Sequence, residues 1–349
     1  MIGEMTEVEY RAIKKNSSSS LKDYLLDKRK YHKKHILGDT VKEKENKAAN
    51  MGRLVETLLM EPERFDDLFF MSSLATVPTG LTGEFVYGLA QLISDNTDEE
   101  TDELKGDFED YAKKAYIKSG FKLKFETVLK KLEDSDIHIY YLELLKVMYN
   151  KMTMVTPQDI DNAEQIVREL QTNPNTSGIV NLEDGPNFSV FNQMKIDNYQ
   201  IDGMQLKSML DKVIVNHKTK QVHVIDLKCT WSVEKFYKEY YLFRRSYIQG
   251  YLYYKAVEYM ANVPGTDFYG YEVLPTEFLV CDSINYYQPL RYQMNEKDLD
   301  DAYNGFMYKD TYYPGVKQII SELQWSIEND TWNISKANFD KNGILNIKD

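Results

Sequence analysis

The chain has 349 residues, is 42% hydrophobic and 28% charged, and carries a formal net charge of −12 at pH 7. This length predicts two domains, or one elaborated domain, with enough residues to bury a large core. The absence of a run of 18 apolar residues argues against a membrane-spanning helix, and the start of the chain does not resemble a secretory signal. Cys229 and Cys281, the two cysteines, are too few for a four-cysteine metal site, and we expect a reducing, cytoplasmic compartment.

The charge is distributed unevenly along the chain. Residues 95–110 contain nine acidic residues and one lysine, whereas residues 11–47 contain twelve Lys or Arg and five acidic residues. Charge blocks of this kind usually occupy separate surfaces. The net charge therefore does not exclude a nucleic-acid partner, although a solvated basic helix beside an acidic loop would give the same pattern.

The first half of the sequence has the periodicity of helices. The serines at 17–20 predict a capped helix over 21–31, and the apolar spacing of 46–60 predicts a second helix that ends before Pro62. The remaining predicted elements of this half are a turn at 76–83, a helical region at 108–150 with a break near Gly120, and a helix over 156–170.

The second half alternates between strand and helix patterns. The predicted strands are 188–215, 221–229, 278–281 and 290–294, and the predicted helices are 233–261 and 296–330. This order predicts an α+β or mixed α/β fold.

Two of these strands form a predicted hairpin that carries charged residues. A turn centred between Lys218 and Thr219 places Asp211 directly opposite Asp226, with Cβ atoms about 4.5–5.5 Å apart. Two carboxylates at this distance repel each other unless a cation lies between them, and Mg²⁺ or Mn²⁺ suits oxygen ligands. Lys228 lies on the same face as Asp226, where it can orient water and stabilise charge on a phosphate. The alternative is a solvated ion pair, against which the apolar neighbours argue.

The helix that follows the hairpin has a polar stripe. Arg245, Gln249 and Tyr253 are spaced by four and are expected to share one helical face. A guanidinium, an amide and a phenol can hold phosphates and stack on a base. The alternative is a polar stripe that faces solvent.

The hairpin resembles the PD-(D/E)xK nuclease motif. The matching residues are Asp211 and Asp226-x-Lys228, with Leu210 in place of the proline and Asp as the second acid. The resemblance implies a restriction-endonuclease-like core, with a central mixed sheet flanked by helices. It implies catalytic roles for Lys228, Asp226 and Asp211.

Two other segments, Gly52–Phe65 and Ser17–Tyr31, resemble the RecE-like (exonuclease VIII type) phage exonucleases. A third, Gln249-x-x-x-Tyr253, resembles a motif of RecB-type nucleases. Glu56 stands where RecE-like sequences usually have histidine and lambda-type ones have glutamate. The resemblance therefore implies Glu56, Asp211, Asp226 and Leu227 as metal ligands. It divides the chain into an N-terminal helical part of the core (1–73), a helical insertion with the acidic loop (74–155), and the remaining core (156–349).

This resemblance implies a Mg²⁺- or Mn²⁺-dependent exodeoxyribonuclease that degrades one strand of duplex DNA, 5′ to 3′, for recombination. It also implies double-stranded DNA ends as partners, together with a single-strand annealing protein, a homo-oligomeric ring, and the cytoplasm of a bacterial host. Two alternatives are a DNA-end-binding protein on a degenerate nuclease fold and a structure- or site-directed endonuclease.

Overall fold

The computed structural model describes residues 5–39, 46–98 and 100–345, and it divides the chain into two compact units. The first unit contains Met1–Ala48 and Arg168–Asp349, and the second contains Ala49–Val167. The boundaries expected from the sequence were at 73/74 and 155/156. In the described parts of both units, no helix is long and apolar enough to cross a membrane.

The first unit is built on a mixed sheet of six strands, which we label β1 to β6. They are β1 (Phe188–Ile201), β2 (Met204–Asn216), β3 (Gln221–Thr230), β4 (Glu272–Val273), β5 (Glu277–Asp282) and β6 (Leu290–Gln293). The order is β1-β2-β3-β5-β6, and β4 pairs with the start of β3. The β3–β5 pair is parallel, whereas β1–β2, β2–β3 and β5–β6 are antiparallel. The predicted mixed α/β class, with a central mixed sheet flanked by helices, is confirmed.

Eight α-helices of this unit are labelled α1 to α8. They are α1 (Glu7–Ala12), α2 (Ser18–Leu26), α3 (Lys28–Tyr31), α4 (Ser177–Val180), α5 (Ser246–Ala261), α6 (Glu296–Asn304), α7 (Val316–Glu328) and α8 (Lys336–Asp340). π-Helical turns occupy His32–Ile36 and Tyr237–Phe243, and a 3₁₀ turn occupies Val233–Lys235. As predicted, Ser17 caps α2, since its side chain accepts a hydrogen bond from the backbone of Ser20.

The core of the first unit lies between the sheet and α5. It includes Val222 and Val224 of β3, Phe278 and Val280 of β5, and Leu252 of α5, all of which are fully or almost fully buried. In a parallel pair, directly opposed residues share a face, so Asp226 and Lys228 of β3 lie on the side of Phe278 and Val280. Asp226 and Lys228 are therefore placed on the core side of β3.

Three predicted elements differ from the structure. The segment 188–215 is two strands, because Asp202 and Gly203 form a tight turn with positive φ. The segment 296–330 is two helices separated by a hairpin of Phe306–Tyr308 and Thr311–Tyr313. The predicted helix 233–261 is a 3₁₀ turn, a π-helical turn and α5. The break between the π-helical turn and α5 contains no proline or glycine that would mark it in the sequence.

The second unit is mainly helical. Its helices include Gly80–Asp95, Phe108–Ser119, Phe125–Leu129 and Ser135–Tyr149, and the strands Phe69–Met71 and Thr153–Val155 pair in parallel. The helices Lys47–Met60 and Pro157–Thr172 each cross a boundary between the units. The predicted break near Gly120 is confirmed, since this glycine ends its helix with φ +75.

We predict that Gly250→Ala destabilises the first unit. A Cβ at Gly250 would lie 2.6 Å from Met294 Sδ and 2.9 Å from Cζ of the buried Phe278 ring. Overpacking of this kind costs about 1–3 kcal/mol, whereas replacing a helical glycine by alanine contributes only about 1 kcal/mol. We therefore expect the free energy of unfolding, measured by urea denaturation, to fall by about 1 kcal/mol.

Gly88→Ala is the matched control for this prediction, because it also lies inside a helix. Its Cβ would make an ordinary contact of 3.7 Å with Ala115 Cβ. This variant should be as stable as the wild type or more stable. A gain of stability in Gly250→Ala would contradict the close approach of α5 to the sheet.

Candidate active site

The hairpin of β2 and β3 has the register that the sequence predicted. Lys212 pairs with Ile225, and the ladder continues through Asn216 opposite Gln221. Asp211 and Asp226 each lie one residue beyond the last of these pairs. The turn is stabilised by Asn216, whose Oδ1 accepts hydrogen bonds from the backbone of Lys218 and Thr219 at 3.1 Å.

Asp211 and Asp226 have different surroundings. Asp211 is 8% exposed, and its Oδ2 accepts a hydrogen bond of 2.8 Å from the backbone N–H of Leu227. Asp226 is fully buried, and within the described residues neither of its carboxylate oxygens accepts a hydrogen bond of good geometry. The Asp211 side chain thus bridges to β3, while Asp226 keeps lone pairs that no hydrogen-bond donor among the described residues satisfies.

Lys228 forms an ion pair with Asp226. Its ammonium contacts Asp226 Oδ2 and also donates a hydrogen bond to the Leu227 carbonyl at 3.3 Å. The Lys228 side chain is 18% exposed, whereas that of Asp226 is 0% exposed. The ammonium therefore retains limited access to solvent. Its contact with Asp226 is an ion pair rather than a well-aligned hydrogen bond.

These oxygen atoms form a donor set that fits a hard cation. A buried carboxylate with unsatisfied lone pairs is costly unless a positive charge or a metal compensates it. Asp211, Asp226 and the carbonyl of Leu227 offer only oxygen, which Mg²⁺ prefers, and Mg²⁺ commonly binds one or two carboxylates and keeps several waters. Within the described ranges, no group of three or more His, Cys, Asp or Glu side chains is placed so that it could hold a metal ion.

Lys22 of α2 belongs to this site, although the sequence did not single it out. Its Nζ donates a hydrogen bond of 3.4 Å to Gln249 Oε1, and Gln249 Nε2 donates to Tyr253 Oη at 2.9 Å. Burial, followed by the positive charges of Lys228 and Arg245, lowers the pKa of Lys22 to about 8, against an opposing effect of Asp226. Lys22 lies in the segment Ser17–Tyr31 that resembles RecE-like exonucleases, but the sequence indicated no role for it because its partners come from distant parts of the chain.

The three residues of the predicted stripe on the following helix are arranged differently from the prediction. Gln249 and Tyr253 share a face of α5, as their hydrogen bond shows. Arg245 does not belong to that face, because its backbone has φ +53 and α5 begins only at Ser246. A left-handed residue cannot continue a right-handed helix. The positive charge of Arg245 nevertheless helps to lower the pKa of Lys22.

Glu56 lies on the helix Lys47–Met60, in the second unit. It is partly exposed and lies between two buried residues, Val55 and Thr57. The carboxylate therefore lies at the border of the buried face of this helix. Its role as a metal ligand stays a prediction.

The comparison with solved structures gives a distant likeness. No protein-family model matches the chain, and no curated protein matches it. A crystal structure of a protein from Eubacterium rectale, provisionally described as an exonuclease, has a TM-score of 0.46 and 11% sequence identity, with 99% of this chain and 95% of that chain covered. A likeness of this degree supports no assignment of site residues.

The lowered pKa of Lys22 predicts a specific pH dependence of stability. Between pH 8 and 10.5 the unfolded chain binds more protons at this residue than the folded chain, so the contribution of Lys22 to the stability of the wild type should rise with pH through this window. Lys22→Met removes the titrating group. The free energy of unfolding of this variant relative to wild type should therefore be constant below pH 8 and fall between pH 8 and 10.5.

Urea denaturation in EDTA across this pH range measures the difference. The control is Lys14→Met, which removes one positive charge from an exposed residue of the same segment. Parallel pH profiles for wild type and Lys22→Met would contradict a desolvated Lys22 at the site.

Proposed function

We propose that the chain is a metal-dependent deoxyribonuclease of the PD-(D/E)xK type that degrades one strand of duplex DNA from an end. The observation that carries the proposal is the buried carboxylate of Asp226, which keeps free lone pairs, contacts Lys228 and lies at the end of the β2–β3 ladder beside Asp211. A structural ion pair would not require a second acid here. A bound divalent cation uses carboxylates as ligands, and a lysine beside it can orient water or stabilise charge on a phosphate.

The residues of the first unit have separate tasks in this proposal. Asp211, Asp226 and the Leu227 carbonyl would hold Mg²⁺ or Mn²⁺, which when bound would lower the pKa of water and polarise the phosphate. Lys228 can donate a hydrogen bond to the attacking water or to a phosphate oxygen, since its ammonium is partly open to solvent. Such positioned donors are effective because they are oriented before the reaction begins.

The polar residues beside the carboxylates fit a phosphate-bearing ligand. Lys22, Gln249 and Tyr253 form a hydrogen-bonded row, and the Arg245 charge acts on its lysine end. A negatively charged phosphate would offset the mutual repulsion of Lys22, Lys228 and Arg245. This row therefore favours a nucleic-acid backbone as the ligand and supports substrate-binding roles for Arg245, Gln249 and Tyr253.

The finer features of the proposal come from the resemblance to RecE-like exonucleases. They are a 5′-to-3′ direction, a role in recombination with a single-strand annealing protein, a homo-oligomeric ring and a bacterial host cell. The second candidate is a DNA-end-binding protein on a degenerate nuclease fold. The contact between Lys228 and Asp226, with Asp211 beside it, argues against degeneration.

The proposal is tested with end-labelled linear duplex DNA and a closed circular duplex, each with Mg²⁺ or with EDTA. We expect nucleotides to be released from the linear DNA only with Mg²⁺, and the circle to remain intact. Asp226→Asn keeps the shape of the side chain but removes its charge, and it should lower the cleavage rate by about 10²-fold or more.

Glu277→Gln is the matched control for Asp226→Asn. Glu277 is a buried carboxylate of β5 that is paired with Arg291, so its replacement also removes a buried charge from the same sheet. It should cleave at a rate near that of wild type. Cleavage of the circle would indicate an endonuclease, binding to DNA ends without cleavage would favour the second candidate, and full activity of Asp226→Asn would refute the site.

We predict that Glu56→Gln weakens metal binding. If Glu56 completes the ligand set, loss of its charge should weaken Mn²⁺ affinity about tenfold or more, as measured by calorimetric titration without DNA. The control is Glu63→Gln, which changes an exposed carboxylate of the same unit. Equal Mn²⁺ affinities of Glu56→Gln and wild type would remove Glu56 from the metal site.

A further inference from the structure

The two cysteines of the chain lie opposite each other in the sheet that carries the candidate site. Cys229 of β3 pairs with Cys281 of β5 in the parallel ladder. Their Sγ atoms are 3.2 Å apart, and both thiols are free. They are the only cysteines in the sequence, so within one chain each can form a disulfide only with the other.

The strand geometry permits a bond between these thiols. Neighbouring strands lie about 4.7–4.9 Å apart, and disulfides form between Cα atoms about 4.4–6.8 Å apart. The S–S bond is about 2.05 Å long, so the sulfur atoms must approach by roughly 1 Å from their separation in the reduced chain. A local adjustment of β3 or β5 is sufficient, and no element has to unfold.

The two thiols differ in their access to solvent. Cys281 is 3% exposed, whereas Cys229 is partly exposed. A small oxidant in solution can therefore reach Cys229 first, while Cys281 is held in contact with it. A reactive thiol with a second thiol beside it is the arrangement of a reversible oxidation site.

We propose that Cys229 and Cys281 form a reversible oxidation site whose substrate is a hydroperoxide. With hydrogen peroxide, the Cys229 sulfur attacks one oxygen, the O–O bond breaks, and a sulfenic acid and one water form. The Cys281 sulfur then attacks the sulfenic sulfur, the S–O bond breaks, and the S–S bond and a second water form. The two thiols lose two electrons and two protons, and the peroxide is reduced to two waters. A dithiol reductant reverses the step by exchange.

Oxidation would alter the position of Lys228, which precedes Cys229 on β3. The Cys281 thiol donates a weak hydrogen bond of 3.6 Å to the Lys228 carbonyl, and Tyr240 Oη donates to the Cys229 carbonyl at 3.2 Å. The disulfide removes the first donor and draws the β3 backbone toward β5. A shift of about 1 Å in a positioned group can lower a rate on the order of 10²-fold. This effect on cleavage rests on the proposed nuclease function, whereas formation of the disulfide does not.

The test begins with thiol counting on the full-length, folded protein. The reduced protein is treated with hydrogen peroxide, quenched and unfolded in a thiol-alkylating reagent, and its adducts are counted by mass spectrometry. We expect two adducts before oxidation, none after it, and two again after treatment with dithiothreitol, with a Cys229–Cys281 cross-linked peptide in the digest. Two adducts after oxidation, irreversible over-oxidation, or disulfides only between chains would overturn the proposal.

Two variants assign the order of the reaction. In Cys281→Ser, the sulfenic acid at Cys229 has no partner and should be trapped by a 1,3-diketone reagent. In Cys229→Ser, the buried Cys281 should stay reduced under the same peroxide treatment. A trapped sulfenic acid at Cys281 instead of Cys229 would refute the order derived from their exposure.

The cleavage assay then tests the consequence at Lys228. Oxidised wild type should cleave at least about tenfold more slowly than reduced wild type and should recover with dithiothreitol. Cys229→Ser should be active and insensitive to peroxide. If the disulfide forms and cleavage is unchanged, the link to Lys228 is wrong. If the reduced protein does not cleave DNA, the proposed function fails while the thiol counts still decide the oxidation site.

Discussion

The buried carboxylate of Asp226 is the constraint on which the arrangement of the first unit depends. A fully buried charge is tolerated only when an opposite charge or hydrogen-bond donors compensate it. Lys228 supplies one contact, and none of the described donors satisfies the remaining lone pairs. Replacing such a pair by apolar residues often stabilises a protein, so a buried ion pair is weak evidence for a purely structural role. In the proposed function, a bound cation would offset the cost of burying this carboxylate.

The topology of the sheet places the polar row of Gln249 and Tyr253 beside the strand that carries Asp226. β3 is antiparallel to β2 but parallel to β5, and a parallel pair requires a long crossover connection. Here the crossover contains α5, which packs on the sheet through the close approach at Gly250. Because Gln249 precedes that glycine and Tyr253 lies one turn later, the crossover also carries the polar row. One topological requirement thus positions both β5 beside β3 and the polar row of α5.

The N-terminal segment reaches the site through a separate set of contacts. Lys207 of β2 is buried, and its ammonium donates hydrogen bonds of 2.8 Å to the carbonyls of Tyr10 and Ile13. Tyr24 is fully buried and its hydroxyl contacts Ser326 of α7 at 2.8 Å. These contacts hold α2 against the first unit, so that Lys22, two residues before Tyr24, meets Gln249. Two chain segments far apart in sequence therefore share one cluster of positive charge.

The sequence by itself determined the elements whose signals are local. The hairpin register followed from a turn between two apolar strands, because a one-residue slip would move every side chain of β3 to the other face. The cap at Ser17 and the break at Gly120 followed from side-chain and backbone preferences of single residues. Only the tertiary structure decided the rest. The left-handed backbone at Arg245, the hairpin inside 296–330 and the contact of Cys229 with Cys281 have no local signal. The approach of Lys22 to Gln249 arises from packing between segments that are distant in sequence. The tertiary packing around Asp226 therefore decides which residues belong to the site.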